Sequence, residues 1–151
     1  MINIVLVNPQ IPPNTGNIAR TCAATKTPLH IIGPIGFEIN DKHLKRAGLD
    51  YWPYVDFTYH NTIKDFISFY NNTSTGRWIC FTKRGEHNYS KITYKKNDWL
   101  FFGSEIYGLP SEILKSSHVK VYIPMIKKEV RSLNLAVSVG IGLYEAFRQI
   151  N

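Results

Sequence analysis

Six short apolar runs, at 2–7, 29–32, 54–58, 77–82, 98–103 and 119–123, are rich in β-branched and aromatic residues and read as strands. Between most of them lie stretches of helical character, at about 15–25, 41–47, 62–70 and 111–116. Strands that alternate with helices point to parallel pairing in an α/β domain. No repeat, low-complexity tract or linker breaks the pattern, so residues 1–151 are expected to form one domain. A chain of 151 residues can bury roughly 70% of its unfolded surface.

The last segment, Ser132 to Ile150, carries two periods at once. Leu133, Leu135, Val137, Val139, Ile141 and Leu143 alternate with small or polar residues, which suits a strand. Its length suits a helix instead, and the pairs Ala136/Gly140 and Ser138/Gly142 place small residues on helical faces where another backbone can approach. We read a C-terminal helix, tightly packed and able to meet a second subunit.

A hydrophobic fraction of 44% with 19% charged residues excludes a disordered chain. No run reaches the ~18 apolar residues of a membrane span. The first residues show no basic leader, so no signal peptide and a cytoplasmic location are expected. Cys22 and Cys80 have no CxxC spacing and read as buried thiols, and the five scattered histidines give no metal site. The net charge of +7 attracts polyanions, with Lys42, Lys45 and Arg46 clustered on one helix and Lys127, Lys128 and Arg131 in a loop.

Neither GxGxxG after the first strand, nor GxxxxGK[ST], nor GxSxG is present. Polar segments, two of them glycine-bearing, instead follow three of the strands, where open α/β sheets bind ligands. In the first, 14–20, Pro12-Pro13 breaks the chain, and Asn14 or Thr15 can cap a helix that carries Arg20. Arg20 is either a guanidinium fork for phosphate or a solvated side chain. In the second, 103–110, Gly103 allows close backbone approach to a ligand, and Gly108-Leu-Pro110 closes a turn. Glu105 can bond a ligand hydroxyl or amine, or cap the loop. In the third, 123–135, Ser132 suits an N-cap, and the basic stretch before it is a solvated face or part of a site.

Together the segments resemble the three motifs of the SPOUT methyltransferases. Residues 8–18 with Arg20 are similar to motif one, Gly103-x-Glu105-x-x-Gly108-Leu-Pro110 to motif two, and Ile123-Pro-Met125 with Arg131-Ser-Leu-Asn134 and Tyr144-Glu145 to motif three. Leu29-His-Ile-Ile32, Pro34-Ile-Gly-Phe37 and Arg46-Ala-Gly-Leu-Asp-Tyr51 extend the resemblance over nearly the whole chain. The nearest branch is the tRNA (cytidine/uridine-2′-O-)-methyltransferases of the wobble nucleotide. That resemblance implies an α/β fold with a mainly parallel sheet and a deep C-terminal trefoil knot. It implies a homodimer, no metal and no membrane, with S-adenosylmethionine held by Phe81, Thr82, Gly103, Glu105, Gly108, Ile123, Ser132, Leu133 and Asn134. It implies methylation of a wobble cytidine or modified uridine in leucine isoacceptors. Asn14, Asn17, Lys42, Arg46, Lys127, Lys128 and Arg131 would contact the tRNA anticodon stem-loop.

On the same ground Arg20 and Tyr144 are the catalytic candidates. Arginine holds its proton at neutral pH, so Arg20 is expected to orient phosphate or oxyanion rather than act as a base. The chain departs from the family pattern at Tyr107, where arginine is common, and at Ala136, where serine is common. Methylation of another tRNA or rRNA nucleotide, on ribose or base, and a non-catalytic RNA-binding protein are the rival readings.

Overall fold

Asn3–Val7 forms β1, and four of its five residues are buried, as a strand covered on both faces requires. Successive side chains point to opposite faces, so Ile4 and Leu6 enter one core while Val5 and Val7 enter another. This alternation builds three layers. The computed structural model describes residues 1–39, 42, 46 and 51–151. After β1 come α1 (Pro12–Thr25), β2 (Leu29–Ile32), β3 (Phe57–His60), α2 (Ile63–Thr73), β4 (Trp78–Phe81), β5 (His87–Asn88), β6 (Trp99–Phe102), α3 (Ser111–Ser116), β7 (Val119–Tyr122) and α4 (Leu135–Ile150).

The seven strands form one sheet in the order β3-β2-β1-β6-β4-β7-β5, and every pairing is parallel. The expected α/β fold with helices flanking a parallel sheet is therefore observed. Helices α1 and α4 cover one face through Ile18, Cys22, Leu135, Val139 and Leu143. Helices α2 and α3 cover the other through Phe66 and Ile113, which pack against Trp78, Trp99 and Phe101.

The ambiguous C-terminal segment resolves as a helix. Leu135, Val139, Leu143 and Ala146 are buried at helical spacing, whereas Val137 is half-exposed. Of the two small-residue faces, Gly142 lies inward: a Cβ there would stand 2.6 Å from the Phe81 ring. A Cβ on Gly140 would meet no atom within 4 Å, so that face is open.

Three boundaries differ from expectation. Pro12 and Pro13 do not break the chain but occupy the first turn of α1, where the missing N–H has no helical partner to lose. β3 begins at Phe57 because Trp52-Pro-Tyr54 winds into a 3₁₀ turn that takes the start of the apolar run. β5 is a two-residue pairing against β7, too short to leave a pattern in the sequence. The helix expected over 41–47, including Lys45, lies outside the described residues except for Lys42 and Arg46, which have helical backbone and are exposed.

Both cysteines are free and buried, and burial pushes each thiol up to about 12. Among the described residues no His, Cys, Asp and Glu group could hold a metal, and no helix is long and apolar enough to cross a membrane.

A buried histidine pair gives the fold an acid-sensitive point. His30 Nδ1 lies 3.1 Å from His60 Nε2, on neighbouring strands, among Phe66, Phe69 and Trp99. Burial, reinforced by His60, lowers the His30 pKa from 6.5 to about 4; burial also lowers that of His60. The unfolded chain then binds more protons than the folded one between those values. Stability from His30 is full above pH 6.5 and is lost as pH falls toward 4, by about 3 kcal/mol. Urea midpoints measured from pH 7 to pH 4.5 should fall accordingly. A His30 ring that titrates near 6.5 in native-state NMR spectra would contradict this.

Candidate active site

Helix α1 starts without a side-chain cap of its own. Its N-cap residue is Ile11, not Asn14 or Thr15, and isoleucine has no atom to offer a free N–H. The need is met from the loop after β6. Glu105 accepts the backbone N–H of Gln10 through Oε2 at 2.8 Å and that of Ile11 through Oε1 at 3.1 Å. The amide of Asn14 also donates to Oε1, at 3.2 Å. A carboxylate at a helix N-terminus gains from both the hydrogen bonds and the helix dipole. Glu105 was expected to bond a ligand or to cap its own loop; the structure shows it bonded instead to the start of α1.

Asn14 is buried and carries the connection onward. Its Oδ1 accepts from Asn134 Nδ2 at 2.9 Å, while Asn134 Oδ1 accepts the Val137 N–H at 3.2 Å and caps α4. Asn134, rather than Ser132, is thus the N-cap of the last helix. One polar chain, Glu105–Asn14–Asn134, fastens the three motif segments to each other.

This chain of bonds is open to test. In Glu105→Gln one carboxylate oxygen becomes an NH₂, which faces a backbone donor. Charged hydrogen bonds of this kind contribute about 1.5–3 kcal/mol, so a destabilisation near 2 kcal/mol is expected in urea unfolding. An unchanged midpoint would remove the tie from the energetics.

The loop after β6 folds back on itself. Ser104 and Gly108 exchange both backbone hydrogen bonds, and Ser104 Oγ accepts the N–H groups of Ile106 and Tyr107 at 3.1 and 2.8 Å. Gly108 closes the turn at φ +68°, which glycine adopts without strain. Gly103 was expected to let a ligand approach. The structure shows it receiving the chain's own backbone: a Cβ there would lie 2.1 Å from the Gly108 carbonyl carbon. From the other side, Lys83 Nζ donates to the Arg131 carbonyl, and Arg131 Nη2 donates to the Ile106 carbonyl at 3.4 Å.

These loops enclose a cavity of about 670 Å³ beyond the carboxyl ends of β4, β6 and β7. Phe81, Thr82, Gly103, Glu105, Gly108, Ile123, Ser132, Leu133 and Asn134 all line it. So do Asn14 and Arg131. Sequence reasoning missed Lys83, Arg84, Leu109, Leu114, Met125 and Ser138 on the same walls. Lys83 and Arg84 directly follow β4, and that position was the available signal.

The remaining candidates stand elsewhere. Arg20 and Tyr144 do not line the cavity. Arg20 lies about 12 Å along α1 from its start, on the exposed side, with its Cζ 4.7 Å from the centre of the Tyr51 ring. Tyr144 is 56% exposed on α4. Asn17, Lys127 and Lys128 are exposed too, and with Lys42 and Arg46 stand outside the cavity. A second cavity, of about 650 Å³, opens near the amino ends of the strands beside His30 and Trp99. None of the three motif segments reaches it, so the first is the better candidate.

The sequence profile of the SpoU rRNA Methylase family matches residues 1–144. A tRNA (cytidine(34)-2′-O)-methyltransferase from Escherichia coli (strain K12) is 44% identical over 152 residues, covering 99% of this chain and 94% of its own. A solved structure described as giving insight into the 2-OH methylation of C/U34 on tRNA has a TM-score of 0.92 and 45% identity, covering 99% of this chain and 96% of that one. An AdoMet-bound rRNA methyltransferase from Sinorhizobium meliloti has a TM-score of 0.90 at 26% identity, covering 99% of this chain and 57% of its own. With three motif segments gathered on one cavity and a match across nearly its full length, the chain belongs to the SpoU rRNA Methylase family.

Proposed function

We propose that this chain methylates the ribose 2′-hydroxyl of the first anticodon nucleotide of tRNA, a cytidine or modified uridine, using S-adenosylmethionine. The carrying observation is the single strand-end cavity onto which all three motif segments converge. Relatives at 44–45% identity bear the same activity in their descriptions.

The cavity suits the cofactor. Its volume of about 670 Å³ is that of a small-molecule site, and Leu109, Ile123 and Leu133 offer apolar walls for a purine. Thr82, Ser132 and Ser138 bring hydroxyls for a ribose, and Lys83 and Arg84 bring cations for a carboxylate. When bound, S-adenosylmethionine supplies an electrophilic methyl group. The chain's own residues do the rest. Arg20 orients a backbone phosphate and stabilises the developing 2′-oxyanion. The Tyr51 ring beneath it restrains the guanidinium by a cation–π contact. The hydroxyl proton passes to water or to a phosphate oxygen, because arginine keeps its own at neutral pH. Tyr144 helps place the ribose, and Asn17, Lys42, Arg46, Lys127 and Lys128 hold the anticodon stem-loop.

The reading includes a cytoplasmic homodimer of one-domain protomers with a deep trefoil knot in the C-terminal half. The knot is supported by family membership and by β6 lying between β1 and β4. The homodimer is supported by the open face of α4, where Val137 and Tyr144 are exposed beside Gly140. Arg20 stands off the cavity of its own chain, which also suits a site that a second copy helps to complete.

Nucleoside mass spectrometry of tRNA treated with protein and cofactor tests the reading. A 2′-O-methyl nucleoside that disappears when the wobble ribose is 2′-deoxy supports it. A methylated base, or no product with intact RNA binding, favours the two rival readings in turn.

A further inference from the structure

Tyr107 is 82% exposed, on a loop whose backbone is anchored. Its backbone N–H is bonded to Ser104 Oγ at 2.8 Å, and the Ser104–Gly108 bridge closes the turn on both sides. A large aromatic ring kept in water on an anchored turn forgoes burial that a polar residue would not need. It also stands at the rim of the cavity, which it lines together with Lys83, Arg84 and Arg131. Glu105, the one acidic residue on those walls, has both oxygens committed to α1. The rim therefore combines an open π-face with an excess of positive charge, Lys83, Arg84 and Arg131 against the one carboxylate of Glu105. Stacked bases on aromatic rings, with phosphates on nearby cations, are how proteins take hold of single-stranded nucleic acid.

We propose that the Tyr107 ring is a stacking platform for one unpaired nucleobase adjacent to the nucleotide that is methylated. This rests on the reading of an RNA ribose substrate above, and it names a residue that holds RNA by stacking rather than by charge. The ring would hold the neighbouring base on the rim while Arg131 meets the phosphate between the two nucleotides.

The test compares wild type, Tyr107→Phe and Tyr107→Ala with anticodon stem-loops carrying one abasic site at each loop position in turn. Affinity is read by fluorescence anisotropy, methylation by nucleoside mass spectrometry, and S-adenosylmethionine affinity by calorimetry. In Tyr107→Ala the affinity for RNA and the KM should worsen roughly tenfold. The kcat at saturating RNA and the cofactor affinity should hold, and Tyr107→Phe should restore the KM. One abasic position should weaken the wild type by a similar factor and leave Tyr107→Ala unaffected. The proposal is overturned if Tyr107→Ala binds within twofold of wild type. It is equally overturned if Tyr107→Phe is as weak as Tyr107→Ala, or if every abasic effect is independent of residue 107. A wild-type chain that binds the stem-loops with this Tyr107 dependence, yet yields no 2′-O-methyl nucleoside, sinks the methyl-transfer reading and leaves the platform standing.

Discussion

Arg20→Ala should lower the single-turnover methylation rate by about 10²–10³, the usual cost of losing one donor to a developing oxyanion. The loss should fall on the rate and on RNA positioning, not on the cofactor. Arg20 lies outside the cavity, so S-adenosylmethionine affinity should stay within twofold. Arg20→Lys separates charge from shape: a lysine keeps the cation but loses the planar fork and its stacking on Tyr51. Near-full methylation by Arg20→Lys, with unchanged RNA binding, would falsify a specific guanidinium role.

Gly103→Ala should have the next largest effect, at the opposite side of the site. The added Cβ would stand 2.1 Å from the Gly108 carbonyl carbon and 2.3 Å from Leu109 N, both backbone atoms. Backbone cannot rotate away as a side-chain end can, so the turn from Ser104 to Gly108 must shift. Such overpacking costs about 1–3 kcal/mol, and here the strain falls directly on the cavity wall. Calorimetry should show cofactor affinity reduced at least about tenfold, with a lowered thermal midpoint. Cofactor affinity equal to wild type in Gly103→Ala would show that the wall absorbs the methyl group.

The layered α/β plan was legible because apolar runs and helical stretches alternate over most of the chain. α3 was read to the residue, since Pro110 sets its start and the next strand its end. What escaped reading was settled by contacts distant in sequence. Pro12 and Pro13 looked like a break, yet a helix can begin there once Glu105 caps it from another loop. Ser132 and Asn134 are both fair caps in isolation, and the bond from Asn134 to Asn14 selects the second. The candidate cofactor residues gathered because they sit on loops leaving adjacent strand ends, a placement that strand order determines. Arg20 and Tyr144 belong to the same set of motifs but project from helix faces, and motif membership says nothing about which way a face points.

The bond between Asn14 and Asn134 spans 120 positions of the chain. A cavity whose walls are fastened by such a bond cannot be completed in stages as the polypeptide leaves the ribosome. Every truncation that stops short of α4 lacks a wall as well as a helix. Contacts of this separation are also slow to form, because loop closure must precede their reward. Acquisition of the methyl donor would then report that α4 has been made and docked, and a chain stopped before it would be unable to sequester the donor.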